Sequence, residues 1–147
     1  MEKVKFLVLC LITTLLISSC SSPTVVEKLG KCSNQQSLVV ENHIGSQIDA
    51  LADNNWRRAY SFAAASFQES VSLEQFKQVI NRQYLYLIFN EGFTFGDCKN
   101  TAQGINQIVV VDFQGRKRTL SYDLTLIAER LGVVAATEIS VADEVAT

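Results

Sequence analysis

Arg116-Lys117-Arg118-Thr119-Leu120-Ser121-Tyr122-Asp123-Leu124-Thr125-Leu126-Ile127-Ala128 alternates apolar and polar residues along its length. Successive side chains of a strand point to opposite faces, so Leu120, Tyr122, Leu124, Leu126 and Ala128 share one face. Lys117, Thr119, Ser121, Asp123 and Thr125 share the other. One dry face and one wet face describe a strand of an antiparallel sheet covered on one side only. The neighbouring stretches extend the pattern. Ile105 to Phe113 is a β-branched run, and Gln114-Gly115 is a tight-turn pair between it and the alternating strand. Upstream, Phe93 and Phe95 alternate with Thr94 and Gly96. Downstream, Leu131-Gly132 turns the chain, and Val133, Ala135, Thr137 and Ile139 form a last strand. Four hairpin-linked strands are expected.

Before Phe93 the apolar period is helical. Val40, Ile44, Ile48 and Leu51 recur at spacings of four, four and three, which places them on one stripe of a helix over 38–52. Glu41, Asn42, His43, Gln47 and Asp49 cover its other side. Asp53-Asn54-Asn55 then interrupts, because these side chains bond nearby backbone N–H groups and favour turns and caps. Trp56, Ala59, Tyr60, Ala63 and Phe67 make the stripe of a second helix, with Arg57 and Arg58 off it. Ser72-Leu73-Glu74-Gln75 has the spacing of a capping box and opens a third. Leu73, Phe76, Ile80, Tyr84 and Leu87 are its buried stripe, and Gly92 lies just past its end. Helices followed by hairpin-linked strands give an α+β fold: three N-terminal helices packed on a curled, mainly antiparallel four-stranded sheet. Such a body is cone-like, and the mouth of the cone is a natural pocket.

The segment Ile44-x-x-Gln47-Ile48-x-Ala50, Asp53-Asn54-x-Trp56-x-x-Ala59-Tyr60-x-Phe62-Ala63, Leu73-Glu74-x-Phe76 and Tyr84 resembles an uncharacterised family of small secreted bacterial domains. These are similar in turn to the nuclear-transport-factor-2-like, or cystatin-like and SnoaL-like, superfamily. The resemblance spans roughly Leu38 to Ser140, and its recognisable residues lie in the helical half. It implies the cone fold. It does not choose a function, because that superfamily holds isomerases, dehydratases, ligand carriers and interaction modules.

At the other end of the chain, Lys3 and Lys5 precede the apolar run from Phe6 to Ile17, which closes on Ile17-Ser18-Ser19-Cys20. A charged start, a short apolar stretch and small residues before a cut are the parts of a secretory signal. The run is about 12 residues, short of the roughly 20 that a helix needs to span a bilayer. Ile-Ser-Ser-Cys resembles the bacterial lipobox, which implies cleavage after residue 19 and a diacylglycerol thioether on Cys20, with palmitate-type acylation of the new amino end. Two or three chains give lasting attachment, at about 0.8 kcal/mol per buried methylene. The resulting organisation is a signal peptide over 1–19, a lipidated tether over 20–37 containing Pro23, the α+β domain over 38–141 and a polar tail over 142–147. The expected location is a cell membrane or outer membrane, with the domain outside the cytoplasm. A permanent transmembrane anchor and an unlipidated cleaved signal are the alternatives.

The chain carries 13 basic and 15 acidic side chains. Two of the former and one of the latter fall within 1–19, so the remainder has a side-chain balance of −3. No electrostatic footprint for nucleic acid follows from that balance. Of four cysteines, Cys10 leaves with the signal and Cys20 takes lipid. Cys32 and Cys98 remain, an even pair in an exported chain, for which a disulfide is the natural reading. Two separate buried thiols are the alternative. A single histidine and the lack of a CxxC pair leave no zinc ligand set, and no cofactor motif is present.

Candidate chemistry is sparse. Asp97 shares strand parity with Phe93 and Phe95 and would point into the cone, where a carboxylate among aromatics could shuttle a proton. A bulge at Gly96 would instead leave it in solvent. Trp56, Tyr60, Tyr84 and Tyr86 are candidate pocket residues, since such side chains pair an apolar body with a polar tip; at helical spacing they also suit a core. His43 reads as a solvated helix residue. Arg116-Lys117-Arg118 reads as a basic hairpin tip, facing either anionic headgroups or water. The combined expectation is an envelope lipoprotein whose domain binds a small apolar ligand or an envelope protein without chemistry. A small isomerase or hydratase using Asp97, and a homodimeric module using the exposed sheet face, are the competing readings.

Overall fold

The computed structural model describes residues 29–139 of the chain. The expected leader over 1–19, Cys20, Pro23 and the expected tail over 142–147 lie outside the described residues. Within them the order is β1 (Gly30–Lys31), α1 (Asn34–Ala52), α2 (Trp56–Ser61), α3 (Ala65–Ser70), α4 (Leu73–Gln83), α5 (Leu85–Ile88), β2 (Gly92–Thr101), β3 (Gly104–Phe113), β4 (Arg116–Ile127) and β5 (Arg130–Ile139). The fold is α+β, with five helices and five strands where three and four were expected. The strands form one curled, unclosed antiparallel sheet in the order β1-β2-β3-β4-β5.

Each extra element has a local cause. β1 lies in the stretch expected to be tether, where Gly30 and Lys31 pair with Asn100 and Lys99. Beside it the Cys32–Cys98 disulfide closes with 5.4 Å between Cα atoms, and the Cys32 N–H donates to Cys98 O at 3.0 Å. Ser33 then caps α1 by accepting from the Gln36 N–H, so this helix starts before Leu38. The second expected helix breaks between α2 and α3 because β5 captures its backbone. Val133 N–H donates to Phe62 O at 2.9 Å, and Ala64 N–H donates to Val133 O at 2.8 Å. The third breaks at Tyr84, whose φ of −129° is not helical and whose hydroxyl reaches Ala136 O at 2.7 Å. The capping box at Ser72 and Gln75 is present in both directions.

The core is where the stripes place it. Val40, Ile44, Ile48 and Leu51 are buried against a sheet face made by Ile105, Val109, Val111, Leu120, Tyr122 and Leu124. Burying each such side chain contributes about 1.5–3 kcal/mol. Phe93 and Phe95 join from β2 by lying over Gly45 of α1.

Two β-turns have positive φ at both central residues, as type I′ hairpins require: Gln114-Gly115 and Ala128-Glu129. The second moves the expected turn away from Leu131-Gly132, which instead lies inside β5. Leu126 and Ile127 therefore sit at the hairpin end and are exposed, and Ala128 belongs to the turn rather than to the dry face. A register shift opposite Leu124 inserts an extra residue in β5. Parity flips there, so Val133 and Ala136 pack on the core while Thr137 and Ile139 are exposed.

Candidate functional site

A half-open cavity of about 230 Å³ lies between β5 and the helical layer. Leu51 of α1, Phe67 of α3, and Phe76, Val79 and Ile80 of α4 form one side. The run Val133 to Ala136 of β5 forms the other, with Leu87 and Tyr122 at the base. The helix stripes that build the core run on into this space, so its walls are apolar. Three side chains bring polar groups: Gln47, Tyr84 and Tyr122. Gln47 is buried, contrary to its expected place on the wet side of α1, because its Nε2 donates to Ala59 O at 3.2 Å. Tyr84 spends its hydroxyl proton on Ala136 O. Burial, with a smaller contribution from Tyr86 and Tyr84, raises the phenol pKa of Tyr122. It therefore stays protonated and uncharged at neutral pH. The lining holds no carboxylate, imidazole or thiol. It can select by shape and by a few hydrogen bonds, and it offers no base.

The residues singled out from the sequence are scattered. Tyr84 lines the cavity. Tyr86 lies beside it and is buried to 5% exposure. Its hydroxyl makes no hydrogen bond of ordinary geometry, although its pKa is raised by burial first and then by the nearby Glu138 carboxylate. Arg118 bonds Glu138 at 2.8 Å and lies 5.7 Å over the Tyr86 ring. Tyr60 is outside the cavity: its hydroxyl donates at 2.6 Å to Val71 O, which ties α2 to the end of α3. Trp56 is half-buried under the Lys77 ammonium, 5.7 Å from the ring centroid.

Asp97 does not enter the interior. The β2 register shifts between Phe95 and Cys98, and the carboxylate that parity would have turned inward is 71% exposed, 3.7 Å from Lys99. The isomerase or hydratase reading thereby loses its base. His43 is not simply solvated. Its Nε2 lies 2.9 Å from Phe62 O, and its ring meets the Phe62 ring edge-on. At the basic hairpin tip, Lys117 is paired with Asp112 and Arg118 with Glu138. Among the described residues no cluster of His, Cys, Asp and Glu could hold a metal ion, and no helix is long and apolar enough to cross a membrane.

Sequence reasoning missed Gln47, Val79 and the β5 stretch as lining residues. Tyr122 was legible as inward-facing from the parity of β4, though not as a cavity residue.

A family model described as a domain of unknown function, DUF4864, matches residues 33–139. The chain belongs to the DUF4864 family. No curated protein and no solved structure matches it. The DUF4864 match starts at the α1 cap and ends with β5, so it takes in every cavity-lining residue and Cys98 but leaves out Cys32.

Proposed function

We propose that this chain is an exported lipoprotein, held to a membrane through acylated Cys20, whose DUF4864 domain takes up a small apolar ligand without reacting with it. In this reading the domain is a cone-like member of the nuclear-transport-factor-2-like superfamily. The observation that carries it is the apolar cavity beside β5, with one amide and two phenols among its lining. An engineered cavity of about 150 Å³ lined by Leu, Ile and Phe is already large enough to bind benzene. The disulfide supports the exported location, because such bonds persist in oxidising compartments. Asp97 at an exposed bulge supports binding over catalysis.

The test has two parts. Native mass spectrometry of the processed protein should report diacylglyceryl mass on Cys20, and Cys20→Ser should release the protein from the membrane fraction. Unchanged fractionation and mobility of Cys20→Ser would reject the anchor. Indole or a short alcohol should raise the melting temperature of the wild type but not of Val79→Trp, which fills the cavity mouth. Equal shifts in both proteins would reject the cavity as the site.

A further inference from the structure

β5 is an edge strand, paired on one side only. Over the first part of its free edge the chain covers itself, through the parallel bridge of Ala63 to Val133 and the two hydrogen bonds of Val133. That cover ends where α3 begins at Ala65. Further along, the Ala136 C=O faces the same free edge, since it accepts from the Tyr84 hydroxyl. Backbone groups in an antiparallel ladder alternate between the two sides of a strand. The Ala136 N–H and, two residues on, the N–H and C=O of Glu138 therefore face that edge as well. None of these three groups has a hydrogen-bond partner among the described residues.

Natural sheets guard such edges with lysine, proline, bulges or covering segments. Leu131 to Thr137 contains neither charge nor proline. Its bulge lies next to Val133, where the edge is already covered. Glu138 is drawn to Arg118. The unguarded stretch borders the cavity, because Val134, Ala135 and Ala136 form one of its walls.

Unpaired main-chain donors and acceptors call for a ligand with main-chain geometry, and an uncharged apolar recess beside them calls for one apolar side chain. The geometry points to strand addition: an extended polypeptide segment pairs with the free edge of β5 at Ala136 and Glu138 and drops an aliphatic or aromatic side chain into the cavity. This inference rests on the cavity reading above and names the ligand class.

The test uses the full chain in detergent and a capped, fluorescent hexapeptide of alternating valine and threonine with one central phenylalanine, read by fluorescence polarisation. A second peptide differs only in N-methyl groups on alternate main-chain nitrogens. The expected result is saturable binding of the first peptide, weakened about tenfold or more by N-methylation, which removes one or more hydrogen bonds. Ala136→Pro removes an edge N–H that the β4 ladder does not use, and it should weaken binding by a similar factor. The peptide pair on the wild-type protein decides the matter even if that variant does not fold. Equal binding of both peptides overturns strand addition. Thermal stabilisation by indole with no peptide binding overturns it while leaving the cavity reading intact, and absence of both responses removes the cavity reading too. A dimer by light scattering that Ala136→Pro converts to monomer also overturns it, because the edge then serves a second copy.

Discussion

Gly132→Ala is an exacting perturbation of this fold. Gly132 sits inside β5 with no unusual φ, so its requirement is one of space. A Cβ there would lie 2.5 Å from Ala64 Cα and 2.9 Å from Ala64 N. These are backbone atoms and cannot swing aside, so β5 and the α2–α3 junction must separate. Overpacking alone costs typically 1–3 kcal/mol. The separation also strains the two hydrogen bonds that Val133 makes to Phe62 and Ala64, each contributing about 1 kcal/mol. The expected loss is about 3–5 kcal/mol, a large share of the roughly 5–15 kcal/mol that holds a domain together. Urea unfolding followed by circular dichroism would measure it, with Gly96→Ala as the control. There the new Cβ meets Ile108 Cβ and Cγ2 at 3.2 Å, a contact that a shift of a few tenths of an ångström relieves. A loss below about 1 kcal/mol for Gly132→Ala, or losses equal in the two variants, would refute the claim that backbone contact at Ala64 fixes the helix break.

Three further outcomes follow from the same structure. Replacing Cys32 and Cys98 by serine opens a loop with a sequence separation of 66, for which the chain-entropy relation gives about 4 kcal/mol; dithiothreitol should lower the wild-type midpoint and leave the variant unmoved. Tyr86 and Tyr122 have phenol pKa values raised above the ordinary 10.0, by burial first. Above that pH the unfolded chain releases protons that the folded chain keeps, so their contribution is intact below about pH 10 and falls as pH rises. Tyr122→Phe should flatten the alkaline limb of a stability–pH curve, and an unchanged limb would count against the burial argument. Ser72→Ala removes the hydroxyl that accepts from the Gln75 N–H in the reciprocal cap of α4 and should lower stability by about 1 kcal/mol in the same urea assay.

The sheet and the helix stripes are legible in the sequence because each rests on a period, and a period is a local property. Val40, Ile44, Ile48 and Leu51 fall on the core side of α1 as their spacing requires, and the even positions from Leu120 to Leu124 do the same on β4. What is not legible depends on partners distant in sequence. The break at Phe62–Ala64 is made by Val133, and the break at Tyr84 by Ala136; neither helix stretch contains a glycine or proline that would announce a stop. For Asp97 the sequence offered two placements, inward by parity or outward by a bulge at Gly96, and the register shift between Phe95 and Cys98 gives the second. One missed signal was local: Ser33-x-x-Gln36 has the same spacing as Ser72-x-x-Gln75, and it marks the true start of α1. Of the candidate pocket residues only Tyr84 reaches the cavity, because aromatic side chains at helical spacing suit a core as well as a pocket.

The cavity and the helix break have one cause. Ala63, Ala64, Gly132 and Ala136 put small side chains on both sides of a single seam. At Gly132 their smallness lets backbone touch backbone. At Ala136, which shares the core face with Tyr122, it leaves room that the facing residues do not fill. Those facing residues cannot easily collapse inward, because Tyr60, Phe67 and Phe76 brace one another at ring separations of 5.6 and 6.2 Å, and the Tyr60 hydroxyl is fastened to Val71 O. A sealed void of this size would cost on the order of 5 kcal/mol, comparable with the whole stability of many domains. Being half open lowers that cost and leaves a way in for a ligand. A larger residue at 136 would have filled the seam. The small one maintains an apolar recess beside the free edge of β5, as the binding reading proposed above requires.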